Sequence, residues 1–157
     1  MSEVIFDYDE GRATDRAAIY RRVSRREYYE GEYQIVPTGN ANVRIEKGLD
    51  ATASIIRLTS SSPLKFKRNW DHIRRDHLDL TVFWFVLKGS IAFSYPGGTR
   101  LVESGHCAIS RSQRPFRMDC LVDTESRHEV LHVIAPLHLT STTPALSSRA
   151  PFHTDIG

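Results

Sequence analysis

Leu80–Met118 reads LTVFWFVLKGSIAFSYPGGTRLVESGHCAISRSQRPFRM, and this stretch decides the fold. Its first segment, Leu80–Leu87, is apolar at almost every position, so periodicity alone does not separate a strand from a buried helix. The short length, the β-branched Thr81, Val82 and Val86, the aromatic Phe83, Trp84 and Phe85, and the closing Lys88-Gly89 favour a strand buried on both faces. Ser90–Tyr95 follows as a second strand, and Pro96-Gly97-Gly98 is a hairpin turn. Thr99–Val102 returns, Glu103-Ser104-Gly105 turns again, His106–Ser110 continues, and Ser112–Pro115 turns into Phe116–Leu121. Short strands punctuated this regularly predict a small β-sandwich or barrel.

Upstream, Val43–Lys47 and Ala51–Thr59 read as further strands around a Gly48-Leu49-Asp50 turn. Leu64–Trp70 alternates strictly, with Leu64, Phe66, Arg68 and Trp70 on one side and Lys65, Lys67 and Asn69 on the other. Opposite faces of a strand meet different environments, so the first row is expected inside and the basic row in solvent. Asp71–Asp76 is charged and reads as a loop or strand edge. Thr14-Asp15 can cap a helix running to about Tyr29. Met1–Gly11 before it is polar and acidic, and Tyr28–Val36 reads as a strand or extended arm. Downstream, Arg127–Ala135 is the last long strand and Pro136 ends it. From Thr140 the chain is rich in Ser, Thr and Pro without periodicity, as in a linker or tail.

The 157 residues suffice for one domain with a core, and 40% hydrophobic with 25% charged residues places the chain among ordinary globular proteins. No apolar run approaches the roughly 20 residues of a membrane-spanning helix. MSEVIFDYDEGR is acidic where a signal peptide starts basic, so the expected compartment is the cytoplasm. Cys107 and Cys120 then read as reduced, partly buried thiols. A net charge of +2 is too small to mark a nucleic-acid-binding surface. The one dense basic cluster, Arg21, Arg22, Arg25 and Arg26, reads as the solvated face of a short helix, with a dimer- or DNA-facing patch as the alternative.

The central stretch also resembles part of a cupin barrel, through VLKGSIAF, a glycine turn and LVESGHCAIS. More narrowly, residues 42–140 resemble the N-terminal ligand-binding domain of AraC-type transcription regulators. The resemblance rests on order and spacing: Arg74-Arg75, the Leu80–Leu87 strand, Leu87-Lys88-Gly89, Gly97-Gly98, Leu101–Gly105 (one residue longer than the pattern), Arg114-Pro115-Phe116, then Val130–Pro136 and Leu139. It implies a mainly β, cupin-like double-stranded β-helix (jelly-roll) barrel over 42–140. Before it would come an arm with a short helix over 1–41, and after it a linker or tail over 141–157. It further implies a cytoplasmic regulatory domain that binds a small organic effector and forms a homodimer. DNA would be bound only through a C-terminal domain of two helix-turn-helix motifs. That domain needs far more chain than the 17 residues after Thr140, so an excised regulatory domain is expected rather than a stand-alone relative.

Metal-dependent cupins gather two or three histidines and an acid inside the barrel, a donor set suited to a divalent transition metal. Here His72, His77, His106, His128, His132, His138 and His153 do not form that pattern, and Phe116 stands where a later ligand is usual, so no metal site and no cofactor are expected. No G-x-S-x-G, C-x-x-C, Walker A or G-x-G-x-x-G motif occurs, and no carboxylate pair stands out. The chain is therefore read as non-enzymatic. The alternative is a stand-alone cupin enzyme, an isomerase or dioxygenase with atypical metal ligands, and a purely structural dimerisation module is a third reading. The candidate ligand-lining residues are Phe66, Arg68, Trp70, Trp84, Phe93, Tyr95, Phe116 and Met118. An arginine in an inward row is seldom buried alone, so Arg68 either pairs with an internal acid or receives an acidic ligand.

Overall fold

The computed structural model describes residues 2–12, 30–48, 54–136 and 153–155. Among them are β1 (Ser2–Asp9), β2 (Glu32–Ile35), β3 (Asn42–Gly48), β4 (Ser54–Ser60), β5 (Leu64–Arg68), α1 (Trp70–Asp76), β6 (Leu80–Lys88), β7 (Ser90–Tyr95), β8 (Gly98–Glu103), β9 (Cys107–Arg111), β10 (Phe116–Leu121), β11 (His128–Pro136) and β12 (His153–Asp155). They form two sheets, one of order β1-β3-β4-β11-β6-β9-β12 and one of order β2-β5-β10-β7-β8. The antiparallel pairs nest, β4 with β11, β5 with β10, β6 with β9 and β7 with β8. Successive pairs fall in alternate sheets, which is the winding of a jelly roll. The expected closed barrel is corrected to an open two-sheet sandwich, because no hydrogen-bonded ladder joins the edge strands of one sheet to those of the other among the described residues.

Alternation along each strand builds the core between the sheets. Val43, Ile45, Ile56, Leu58, Val82, Trp84, Val86, Val130 and Ile134 of the larger sheet pack with Leu64, Phe66, Ile91, Phe93, Phe116, Met118 and Cys120 of the smaller. Lys65 and Lys67 lie exposed on the other side of β5. β6 departs from the reading as a strand buried on both faces: Phe85 and Leu87 are 40% and 42% exposed. Only its Val82, Trp84 and Val86 face looks toward the second sheet.

The N-terminus departs as well. Ser2–Asp9, read as a polar end, pairs with β3 and places Phe6 and Tyr8 in the core. The acids between and after these rings hid a short alternation. The helix read over Thr14–Tyr29 and the Arg21–Arg26 cluster lie outside the described residues. In the tail, His153–Asp155 runs parallel to Cys107–Ile109, a three-residue pairing too short to leave a periodic signal.

The single-residue corner Gly89 carries the chain from β6 in one sheet to β7 in the other. It has φ +74°, and a Cβ there would sit 2.2 Å from the Leu121 carbonyl oxygen. Gly89→Ala should therefore destabilise the fold by more than the roughly 1 kcal/mol of an unstrained glycine exchange, read as a lowered urea midpoint at unchanged m.

Candidate functional site

The row Leu64, Phe66, Arg68 points inward as the alternation requires, but the strand stops before Trp70. Asn69 breaks it by capping α1. Its Oδ1 accepts from the His72 amide at 3.0 Å, while His72 Nδ1 accepts from the Asn69 amide at 3.1 Å. This reciprocal cap satisfies two amides that would otherwise lack partners. Asp71–Asp76, read as a loop or strand edge, is thus helical, and His77 ends the helix in the left-handed region at φ 52°.

The turn of chain places Asp76 against Arg68. The guanidinium is fully buried, with Nη1 2.6 Å from Asp76 Oδ2 and Nη2 2.9 Å from Oδ1. Nε donates to the Ser112 carbonyl and Nη1 to the Glu30 carbonyl, each at 2.6 Å. The Asp76 carboxylate also accepts from the Glu30 and Leu78 amides at 2.8 and 3.1 Å. Burial opposes ionisation of Asp76, yet the Arg68 hydrogen bonds, the two amides and the Arg68 charge outweigh it and hold the carboxyl below its ordinary value. Ser112, itself buried, continues the network: its Oγ donates to the Leu78 carbonyl at 2.7 Å and accepts from the Leu80 amide at 2.8 Å. Of the two alternatives for Arg68, this geometry is that of pairing with an internal acid.

Beside this network a pocket of about 460 Å³ opens between the sheets. Phe93 and Tyr95 of β7, Pro96 and Gly97 of the hairpin and Phe116 of β10 line it from the smaller sheet, and Ser110 and Arg111 of β9 from the larger. Arg114 and Pro115 of the β9–β10 turn and Trp70 of α1 complete it. The volume falls within the range of small-molecule sites. Trp70 is 57% exposed, an unusual position for so large an apolar ring.

Four candidate residues, Trp70, Phe93, Tyr95 and Phe116, thus meet in one pocket. Trp84 and Met118 are buried behind it. Trp84 packs edge-on to Phe93 at 5.8 Å between centroids and spends its indole N–H on Ser110 Oγ at 2.8 Å. Phe66 packs on Phe116 at 5.6 Å and also borders a separate hollow on the smaller sheet, shared with residues of both charge signs such as Lys65, Lys67, Glu32 and Asp119. Ser110, Arg111 and Arg114 line the pocket without standing among the candidate lining residues read from the sequence. The Arg114-Pro115-Phe116 motif was the available signal, but the position of Arg111 depends on how β9 pairs with β6.

His128 and His132 share the inward face of β11, and both are buried. His132 packs against Trp84 with ring centroids 4.3 Å apart and planes tilted by 60°, and His128 Nδ1 lies 3.2 Å from the Leu121 carbonyl, which makes it the protonated nitrogen of the neutral ring. Among the described residues no three His, Cys, Asp or Glu side chains gather to hold a metal ion. Cys107 and Cys120 are buried free thiols, and burial raises the Cys120 pKa to about 12. No helix among the described residues is long and apolar enough to cross a membrane.

No protein-family model and no curated protein matches the sequence. Among solved structures, the AraC-like transcriptional activator CuxR superposes with a TM-score of 0.67 at 10% identity, over 85% of this chain and 48% of that one. The fold is cupin-like. An RmlC-like cupin protein from Desulfovibrio desulfuricans aligns at TM-score 0.43 and 15% identity, over 68% of this chain and 83% of that one. A predicted oxalate decarboxylase from Thermotoga maritima aligns at 0.48 and 15%, over 69% and 93% of the respective chains. This cupin-like chain spans about half the length of CuxR, and at such low identity the likeness is one of fold.

Proposed function

We propose that this chain is the effector-binding and dimerising part of an AraC-type transcription regulator, and that its effector is a small organic molecule held between Trp70, Tyr95 and Phe116. The pocket carries this reading: it is concave, walled by both sheets and lined chiefly by rings, with a half-exposed tryptophan at its edge. The CuxR likeness supports the architecture and leaves the site to carry the function. In this reading the domain is not an enzyme, needs no cofactor and acts in the cytoplasm. It contacts DNA only through a separate helix-turn-helix domain, and the domain pairs in a two-fold dimer that matches paired half-sites.

A thermal-shift screen of small organic molecules on wild type and Trp70→Ala tests the pocket. Trp70 is exposed, so the variant should melt within about 1–2 °C of wild type without ligand, as surface exchanges do. Compounds that stabilise wild type should lose at least tenfold in affinity in the variant. Equal stabilisation of both proteins would remove the effector from this pocket, and stoichiometric iron, manganese, zinc or nickel in purified protein would favour an enzyme instead. Sedimentation should show a concentration-dependent dimer.

A further inference from the structure

Resting on the reading of this pocket as an effector site, we infer that it selects a planar aromatic anion, a carboxylate or a phosphate, with its ring against Trp70 and its charge at Arg111. The charge pattern is the first reason. Two of the lining residues are arginines and none is an acid. Arg111 makes no ion pair among the described residues. A guanidinium at the edge of an apolar hollow is matched by the oxygens of a carboxylate or phosphate, which it can grip through two parallel N–H bonds. A cationic ligand would meet like charge from Arg111.

The second reason is how the arginines are held. They flank a single turn in which the Arg114 amide donates to the Arg111 carbonyl at 3.2 Å. The backbone between them is pinned at Ser112, whose carbonyl accepts from buried Arg68 and whose hydroxyl bridges Leu78 and Leu80. The turn is therefore positioned before any ligand arrives, which lowers the ordering cost of binding.

The third reason excludes a polyhydroxylated neutral ligand. The rest of the lining is Trp70, Phe93, Phe116, two prolines and a glycine, with Tyr95 and Ser110 as hydroxyl bearers. Ser110 Oγ already accepts from the Trp84 indole. A sugar would leave most of its hydroxyls against rings with no partner, at the cost of desolvation. A flat ring instead finds aromatic faces and edges suited to offset or edge-on contact.

Titration of the 157-residue protein with benzoate, phenyl phosphate, benzyl alcohol and benzylamine, followed by calorimetry, tests this. Benzoate or phenyl phosphate should bind at least tenfold tighter than benzyl alcohol, and benzylamine weakest of all. The tighter of the two anions identifies the anionic group. Arg111→Gln, at an exposed position, should keep the wild-type melting temperature while losing most of the anion preference. Trp70→Ala should weaken every probe. If benzyl alcohol binds as well as benzoate, the pocket stands as a binding site and the anion selectivity falls. If the preference survives intact in Arg111→Gln, the assigned role of Arg111 falls. If no probe binds, the effector reading and this inference fall together.

Discussion

Arg68→Ala is expected to cost the fold about 3–5 kcal/mol, the range for removing one partner of a buried ion pair. The loss is large because the change strands several groups at once. Asp76 would keep its charge at a nearly closed site with only the Glu30 and Leu78 amides to hold it. The Ser112 and Glu30 carbonyls would each lose the donor that Arg68 supplies. For a chain of this size the expected fall in Tm is roughly 10 °C or more. Asp76→Asn should lie in the same direction and be milder, since an amide oxygen still accepts one bond from Arg68. The combined Arg68→Met, Asp76→Leu variant should recover much of the loss, because apolar replacement of both partners leaves no uncompensated charge. Chemical denaturation of the four proteins checks the order. An Arg68→Ala protein as stable as wild type would contradict the structural role. Because Arg68 also pins the turn that carries Arg111 and Arg114, its loss should weaken effector binding even where the protein is still folded.

Acid is expected to destabilise the protein from about pH 6.5 downward, before exposed carboxylates titrate near pH 4. Burial lowers the pKa of His128 to about 4, against the partial support of the Leu121 carbonyl. Burial also lowers that of His132 to about 3, with the nearby His128 charge adding to it. Both rings are therefore neutral in the folded chain at pH values where the unfolded chain already binds protons at about 6.5. The unfolded state gains protons as pH falls below 6.5, so stability is full above that value and declines toward pH 4 and 3. At about 1.36 kcal/mol per pH unit, each histidine removes roughly 3 kcal/mol by pH 4. The Asp76 carboxylate, held below its ordinary value, adds a loss at still lower pH, since its stabilising contribution disappears as it takes a proton. Urea titrations from pH 8 to pH 4 should show this slope. His132→Phe keeps a ring beside Trp84 and removes one titrating group, so it should flatten the slope between pH 6.5 and 4. An unchanged slope in that variant would show that His132 is not the group responsible.

The strands between Leu80 and Leu121 could be read from the chain, because each is short, β-branched or aromatic, and bounded by glycine, proline or serine turns. The alternation of Leu64–Arg68 placed Phe66 and Arg68 inside and the lysines outside, and the structure has them so. Local signals competed elsewhere. Asp7 and Asp9 masked the inward Phe6 and Tyr8, and the charged run Asp71–Asp76 concealed a helix whose cap is the side chain of Asn69. The apolar density of Leu80–Leu87 suggested two buried faces where the sandwich buries one.

Strand order, by contrast, arises from pairing across long sequence separations. Nothing in Ser54–Ser60 names His128–Pro136 as its partner, yet their pairing, with β5–β10 and β6–β9, sets which ends of which strands come together. The aromatic composition of the pocket was therefore legible residue by residue, through Trp70, Phe93, Tyr95 and Phe116. Which cation faces the pocket was not. An arginine at the end of an alternating strand looks the same from sequence whether its partner is a ligand or a carboxylate eight residues on. Only the turn of α1 brings Asp76 back onto Arg68, and only the β6–β9 ladder carries Arg111 to the pocket edge, because side-chain direction follows from local periodicity while side-chain company depends on how distant segments pack.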